Sequence, residues 1–399
     1  MKQVLVVGGG PVGFALALKL ALAGVDVALI EGAKKVNDDP RAGTIHPPTL
    51  EMFDSIGMAE PMMSKGIVVH NYQYRDRRAG IVADFDLGAL RDDTPFPVRL
   101  MLEQHKVCEI LRARLEAAPN AEVLFDHRLV SLDQRDEGVV AQIDAPEGRR
   151  AFEAAYVVGC DGGRSGVRKS MNVSFDGFTY PERFLILSTR YDFARLGYAF
   201  TNYVSDPEEW YALFKVPGAD DAGVWRVVSA ADAGAAPEAI FDEAAVQGRL
   251  RAFVDIGVDH DVVHRNLYDV HQRVASSYRD GRLLIAGDAA HINNPLGGMG
   301  MNFGLHDAFN LADKLTRVLL NGEDDALLDL YDRQRRTVAR EYLQQQTIEN
   351  KNNIEQKDPV RRGEFQARLR SIAADRRRLR DFLLRGCMIE GVRRAASIS

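Results

Sequence analysis

The chain has 399 residues, 46% hydrophobic and 27% charged, with a formal net charge of −6. That length predicts two or three structural units, the composition predicts a globular protein, and the negative charge argues against a nucleic-acid surface. The widely spaced Cys108, Cys160 and Cys387 form no CxxC pair, so a reducing, cytoplasmic setting without disulfides is expected.

The opening run MKQVLVVGGGPVGFALALKLALAG has the charge and apolar stretch of a secretion signal. Its triple glycine and the following VDVALIE predict a strand-helix-strand unit instead. No apolar run reaches the ~20 residues of a membrane span. Residues 3–7 predict a buried strand, 14–23 an Ala/Leu-rich helix stopped at Gly24, and 25–30 a second, parallel strand ending at Glu31. Residues 102–117 return to helical spacing, and 121–158 alternate as antiparallel strands do. Residues 180–275 are richest in strand formers and predict a separate inserted sheet. A strand at 282–286 leads into the glycine-rich stretch 287–308, and helical spacing dominates 304–320 and 324–394. The arginines of DRRRLRDFLLRG alternate with acids and helically spaced leucines, which reads as a solvated helix face.

Gly8, Gly10 and Gly13 make G-x-G-x-x-G between the first strand and its helix. The first glycine permits the tight turn, the second lets backbone N–H groups approach a pyrophosphate, and the third lets helix and strand pack closely. Pro11 and Val12 open the helix, whose positive end faces the phosphates, and Glu31 is placed to accept from an adenosine ribose. This context predicts dinucleotide binding without separating FAD from NAD.

The stretch GDAAHINNPLGGMGMNFGLHDA at 287–308 separates them. Asp288 at a strand end can accept hydrogen bonds from a polyol chain, and the glycine turn lets a planar ring lie on the backbone. The helix beginning near Met301 then points its positive end at that ring, which suits the negative edge of a reduced flavin. Asp288, His291 and His306 match no common metal spacing, so no metal is expected, and both histidines read as packing or hydrogen-bonding residues.

Three motifs in order, VVGGGPVG with Glu31, CDGGRSGVR at 160–168 and GDAAHINNPLGGMGMNFGLHDAFNLADKL at 287–315, give the chain its likeness. It resembles the class A FAD-dependent aromatic monooxygenases, the para-hydroxybenzoate hydroxylase-like family, from residue 1 to about 330. The resemblance implies an α/β (α+β) fold: a discontinuous Rossmann-like FAD-binding domain of residues 1–75, 100–179 and 272–330, an antiparallel substrate sheet of 76–99 and 180–271, and a helical region of 331–399. It implies that Asp288 binds the ribityl chain of FAD, with Gly287 as a neighbouring cofactor-binding residue, and that Pro295 lies beside the reactive flavin face. Gly297, Gly298 and the backbone of Gly300, Met301 and Asn302 would hold the pyrimidine edge. Asp161 and the loop through Arg164 would shape the FAD and nicotinamide-nucleotide surfaces, with Arg41 and Gln104 as further FAD contacts. NAD(P)H would be a transient co-substrate. Reduced flavin would capture O₂ as a C4a-hydroperoxide that hydroxylates a phenolic or heteroaromatic ring. Met299, where glutamine is common, and Asp313, where an aromatic is common, depart from the pattern at positions where backbone does the binding.

For the ring, Tyr203, Tyr211, Phe214 and Trp225 are the candidate lining and Arg190 or Arg226 the candidate anchors of an acid. Each taken alone reads first as core or surface. By the resemblance Tyr203 matches the tyrosine that hydrogen-bonds the phenol and is the candidate activating residue, with His46 second. The strand YALFKV lacks the serine and arginine that grip a benzoate carboxylate in the name-giving enzyme, so a ring held mainly by apolar contact is expected. Alternative readings on this fold are a halogenase, an isoprenoid reductase or a flavin-free escort protein. The halogenase pattern WxWxIP is absent, and intact glycines at both ends of the FAD site speak against the escort protein. A monomer or homodimer is expected.

Overall fold

The computed structural model describes residues 2–38, 43–219 and 222–399. The N-terminal unit is the strand Lys2–Val7, the helix Pro11–Leu22 and the strand Val27–Glu31. The helix begins at Pro11, ahead of the expected start at Phe14, because proline's fixed φ and missing N–H suit a first helical turn. The two strands pair parallel. Their sheet runs in the order Arg279–Asp280, Leu283–Ile285, Gly148–Gly159, Lys2–Val7, Val27–Glu31, Ala121–Phe125. Val4 to Val7 and Val27 to Ile30 are buried, as strands covered on both faces require.

Residues 121–158 are only partly antiparallel. Ala121–Phe125 joins the sheet parallel to Val27–Glu31, whereas Arg128–Arg135, Gly138–Ala145 and Gly148–Gly159 form antiparallel pairs. The reason is connectivity: Ala121–Phe125 follows the helix Gln104–Glu116 and enters as a crossover strand, while its successors are joined by tight turns.

The second sheet runs in the order His291–Ile292, Val262–Ala275, Phe175–Thr189, Val224–Ala231, Tyr211–Val216, Thr201–Ser205, Asn71–Asp76, Gly80–Asp86. It takes in Asn71–Asp76, most of which the sequence division left in the FAD-binding unit, because that strand pairs with Thr201–Ser205. Side-chain alternation gives this sheet two faces. Leu185, Leu187, Tyr211, Trp225 and Val227 pack on one side with Val246 and Leu250 of the helix Glu243–Phe253. Tyr72, Tyr74 and Phe85 pack on the other with Leu369, Leu383 and Leu384 of the C-terminal helices.

The long helix Gly300–Asn321 lies against the first helix, and Gly304 permits the approach. A Cβ there would stand 2.7 Å from Val12 Cγ2 and 2.9 Å from Gly287 Cα. Beyond it come the helices Ala326–Val338, Gln345–Ile354, Pro359–Ala373, Arg376–Gly386 and Ile389–Ala396, the first two joined through a π-helical turn at Ala339–Gln344. Among the described residues no helix is long and apolar enough to cross a membrane.

Candidate active site

The glycines of the first turn divide by what surrounds them. Gly8 has φ +112°, and a Cβ there would lie 2.4 Å from the Cys160 carbonyl oxygen; at Gly13 it would lie 2.0 Å from the Gly8 carbonyl oxygen. Both positions exclude any side chain. At Gly10 a Cβ would meet nothing within 4 Å, so the backbone faces open space where a phosphate can approach. The helix starting at Pro11 has no side-chain cap and no acid in its first turn, leaving its free N–H groups and positive end for an anion. Glu31 is fixed at its strand end by accepting from Gly9 N at 2.7 Å and Ala33 N at 2.8 Å. Gln104 is half-buried at the first residue of its helix. Arg41 lies outside the described residues.

The second half of the cradle follows the strand Leu283–Ile285. Gly287 turns the chain at φ +64°, and Asp288 is exposed there. Arg168 ties this turn to the loop from Asp161: Nη1 donates to the Ala289 carbonyl at 2.8 Å and Nη2 to the Gly163 carbonyl at 2.6 Å. Asp161 shapes that loop by accepting from Gly166 N and Val167 N, while its buried Oδ1 has no partner among the described residues. Beneath the turn, buried Asp307 accepts from Gly287 N, from His291 at 2.7 Å and from Arg335 Nε at 2.6 Å. His306 bonds the Thr49 hydroxyl at 2.9 Å, and burial lowers its pKa to about 3, so it is neutral.

Pro295 to Met299 forms the next turn, closed by Gly298 N donating to the Pro295 carbonyl. Gly297 at φ +106° and Gly298 at φ +65° both lie in the left-handed region that glycine tolerates. The Asn302 side chain locks the turn from behind. It donates to the carbonyls of Thr44 and Gly298 and accepts from His46 N and the Thr49 hydroxyl. His46 Nε2 donates to the Gly297 carbonyl at 2.9 Å, and burial holds this imidazole well below the usual histidine range. His46 is fully buried as the residue preceding the helix Pro47–Asp54 and does not line the cavity described next. Its place behind the turn, away from the cavity lining, does not fit its reading as an activating group. Gly300 and Met301 start the long helix, which has no side-chain cap.

A cavity of about 250 Å³ adjoins Gly297 and Met299. Tyr72, Tyr74, Phe85, Tyr203 and Arg99 form one wall; Asn350, Phe365, Leu369, Phe382 and Gly386 of the C-terminal helices form the other. Tyr203 stands edge-on to Tyr72 and Phe214 at 6.2 and 6.1 Å between ring centroids. Burial raises the pKa of its hydroxyl, opposed by the charge of Arg99.

The other expected lining residues go elsewhere. Phe214 stands behind Tyr203, outside the lining. Tyr211 packs on Phe253 at 4.4 Å, and Trp225 donates from Nε1 to Asp192, both on the opposite face of the sheet. Trp225 and Arg226 are neighbours in one strand and so point to opposite faces. Arg226 is buried opposite Phe214 in the register and does not line the cavity, and Arg190 is exposed beside Asp261 at 3.3 Å. The cavity wall is mainly aromatic and aliphatic, with the buried guanidinium of Arg99 among its polar groups. The sequence reading missed Tyr72 and Tyr74, whose signal is the alternation in NYQYRD, and Arg99, a lone charge within the apolar run VRLML.

Comparison with known proteins matches these features. The family described as FAD binding domain matches residues 1–346. A para-nitrophenol 4-monooxygenase of Pseudomonas sp. strain WBC-3 is 35% identical over 96% of this chain and 95% of its own. The 6-hydroxy-3-succinoylpyridine 3-monooxygenase HspB of Pseudomonas putida is 32% identical over 96% and 97%. The crystal structure of p-nitrophenol 4-monooxygenase PnpA from Pseudomonas putida superposes with a TM-score of 0.93 at 32% identity, covering 98% of both chains. The chain belongs to the FAD binding domain family, within its class A aromatic monooxygenases. It is an enzyme that uses FAD, NAD(P)H and O₂ to hydroxylate an aromatic ring.

Proposed function

We propose that the cavity beside Gly297 binds a single phenolic or heteroaromatic ring for hydroxylation, and that Gly8 to Gly13, Glu31, Asp288 and Gly297 to Asn302 hold FAD next to it. The observation that carries this reading is the position of the cavity, which adjoins the glycine turn at Gly297 and Gly298 on which a planar ring could lie. The residues fit FAD chemically: open backbone at Gly10 for the pyrophosphate, an exposed carboxylate at Asp288 for a polyol, and an uncapped helix start at Gly300 for a negative ring edge. Bound FAD supplies the hydride acceptor and the activation of O₂. The chain's own residues do the rest. Tyr203 offers its hydroxyl to the ring, the aromatic walls exclude water, and the turn at Gly297 is held rigid by His46 and Asn302.

The volume supports one ring. At about 250 Å³ the cavity is smaller than the ~300–1,000 Å³ typical of sites for drug-sized ligands. The single-ring substrates named for the two Pseudomonas relatives suit it better than anhydrotetracycline or aklavinone, named for solved structures at 28% and 27% identity.

The test is to purify the protein, record its flavin spectrum and screen single-ring phenols and hydroxypyridines for stimulated NAD(P)H oxidation with matching product. Asp288→Ala should lower flavin content. A wild-type protein that no such ring stimulates, or an Asp288→Ala variant with full flavin, would overturn the reading.

A further inference from the structure

We infer that Asn294, Gln272 and Thr347 are positioning residues for the hydroxylation: they fix the peptides on either side of Pro295 and so hold the flavin-facing turn where NAD(P)H oxidation stays coupled to oxygen transfer. The inference rests on the flavin-cradle reading proposed above.

Pro295 has no N–H to donate, and its carbonyl accepts from Gly298 N within the turn. The start of the turn is therefore held through its neighbours. The carboxamide of Asn294 spans the proline: Oδ1 accepts from Leu296 N at 3.1 Å, and Nδ2 donates to the Thr347 carbonyl at 2.9 Å. Asn294 N donates to Gln272 Oε1 at 3.1 Å, and Gln272 Nε2 donates to the Thr347 hydroxyl at 2.9 Å. Asn294 and Thr347 are 0% exposed and Gln272 2%. On the two sides of this centre, Gln344 donates to the Ile292 carbonyl and Asn350 to the Leu296 carbonyl, each at 3.1 Å. Residues 292, 294 and 296 are thus tied in turn to positions 344, 347 and 350 of one helical face.

Apolar packing would suffice to seat a helix on a turn. Buried amides and hydroxyls add little apolar gain and must all find partners, so what such a network supplies is a fixed geometry. The π-helical turn Ala339–Gln344 points the same way. One extra residue rotates the following helix by about 100°, which sets Gln344, Thr347 and Asn350 against the turn, and π-helical turns gather at functional sites. Asn302 and His46 grip the same turn further on, at the carbonyls of Gly298 and Gly297. Asn294, Gln272 and Thr347 do not line the cavity, so they reach the reaction only through the Pro295 peptide. A turn displaced by about 1 Å would leave ring and cofactor bound but misaligned, and activated oxygen would be lost to water.

The test uses the flavin-loaded, full-length protein with para-nitrophenol as the ring. Asn294→Ala and Thr347→Val, the second nearly unchanged in shape, should keep flavin content and the half-saturating nitrophenol concentration. Both should lower kcat for product about tenfold, raise the share of NAD(P)H ending as H₂O₂ and alter the visible circular dichroism of the bound flavin. Thr347→Ser, which keeps the hydroxyl, should restore all three. In the wild-type protein the amide hydrogens of Asn294 and Leu296 should exchange slowly with solvent. Wild-type coupling and flavin dichroism in Asn294→Ala or Thr347→Val overturn the inference, as does a loss of thermal stability alone. Rapid exchange at Asn294 and Leu296 overturns it even if both variants fail to fold. Failure of the functional reading looks different: the wild-type protein would convert no ring, while the flavin dichroism would still shift in Thr347→Val and return in Thr347→Ser.

Discussion

At Gly8, Gly10 and Gly13 the proposed cofactor cradle presents main chain, and its shape follows from which positions tolerate a Cβ. At Arg99 and Tyr203 the cavity presents side chains, brought together by a short strand, a sheet and three C-terminal helices that are far apart in the sequence. The cofactor half is therefore a set of local turns, each encoded by a few adjacent residues. The ring-binding half exists only when distant segments pack. Damage to the first should remove the flavin; damage to the second should leave a yellow protein with altered turnover.

The largest effect is expected at the cradle. Gly13→Val would drive a side chain into the Gly8 carbonyl and should cost more than roughly 3 kcal/mol, giving a flavin-free or insoluble product, measured by the ratio of flavin to protein absorbance. Next comes the buried support beneath the Gly287 turn. Asp307→Ala strands the Arg335 charge and should cost about 3–5 kcal/mol in denaturant unfolding.

Acid should weaken the same support. The folded state keeps His306 neutral, with its pKa lowered to about 3 by burial, whereas the unfolded chain takes up that proton near pH ~6.5. The stabilising contribution is complete above the unfolded value and is lost on acidification, by roughly 2 kcal/mol between pH 6.5 and 5. His306→Asn should flatten that slope; an unchanged slope would remove His306 as its source.

Smaller effects belong to the cavity. Tyr203→Phe should leave flavin content intact and lower kcat about tenfold, the equivalent of one lost hydrogen bond of about 1.4 kcal/mol. Asp93 clamps the last helices through Arg380 at 2.7 Å and Arg393 at 3.0 Å. Asp93→Asn keeps a polar side chain at the buried carboxylate position while both arginines still reach solvent, so it should lower stability by only about 1 kcal/mol while raising the fraction of NAD(P)H lost as H₂O₂. A flavin loss in either variant would blur the division between the two halves.

What the sequence determined by itself is the chemistry written in contiguous residues. Gly8 to Gly13, Glu31 and the run from Gly287 to Asn302 act through turns whose conformation is set by adjacent residues, so their identities and order suffice to read them. Face and distance decided the rest. Tyr211 and Trp225 are as aromatic as Tyr203, but one residue of register sends them under the helix Glu243–Phe253 instead of into the cavity. His46 stands in a stretch that resembles a site, yet its Nε2 bonds the Gly297 carbonyl behind the turn. Arg99, and the helices that carry Asn350, Phe382 and Gly386, become part of the site only through packing. The burial of a charge such as Arg99 is a property of the folded surroundings, and no single position in the chain records it.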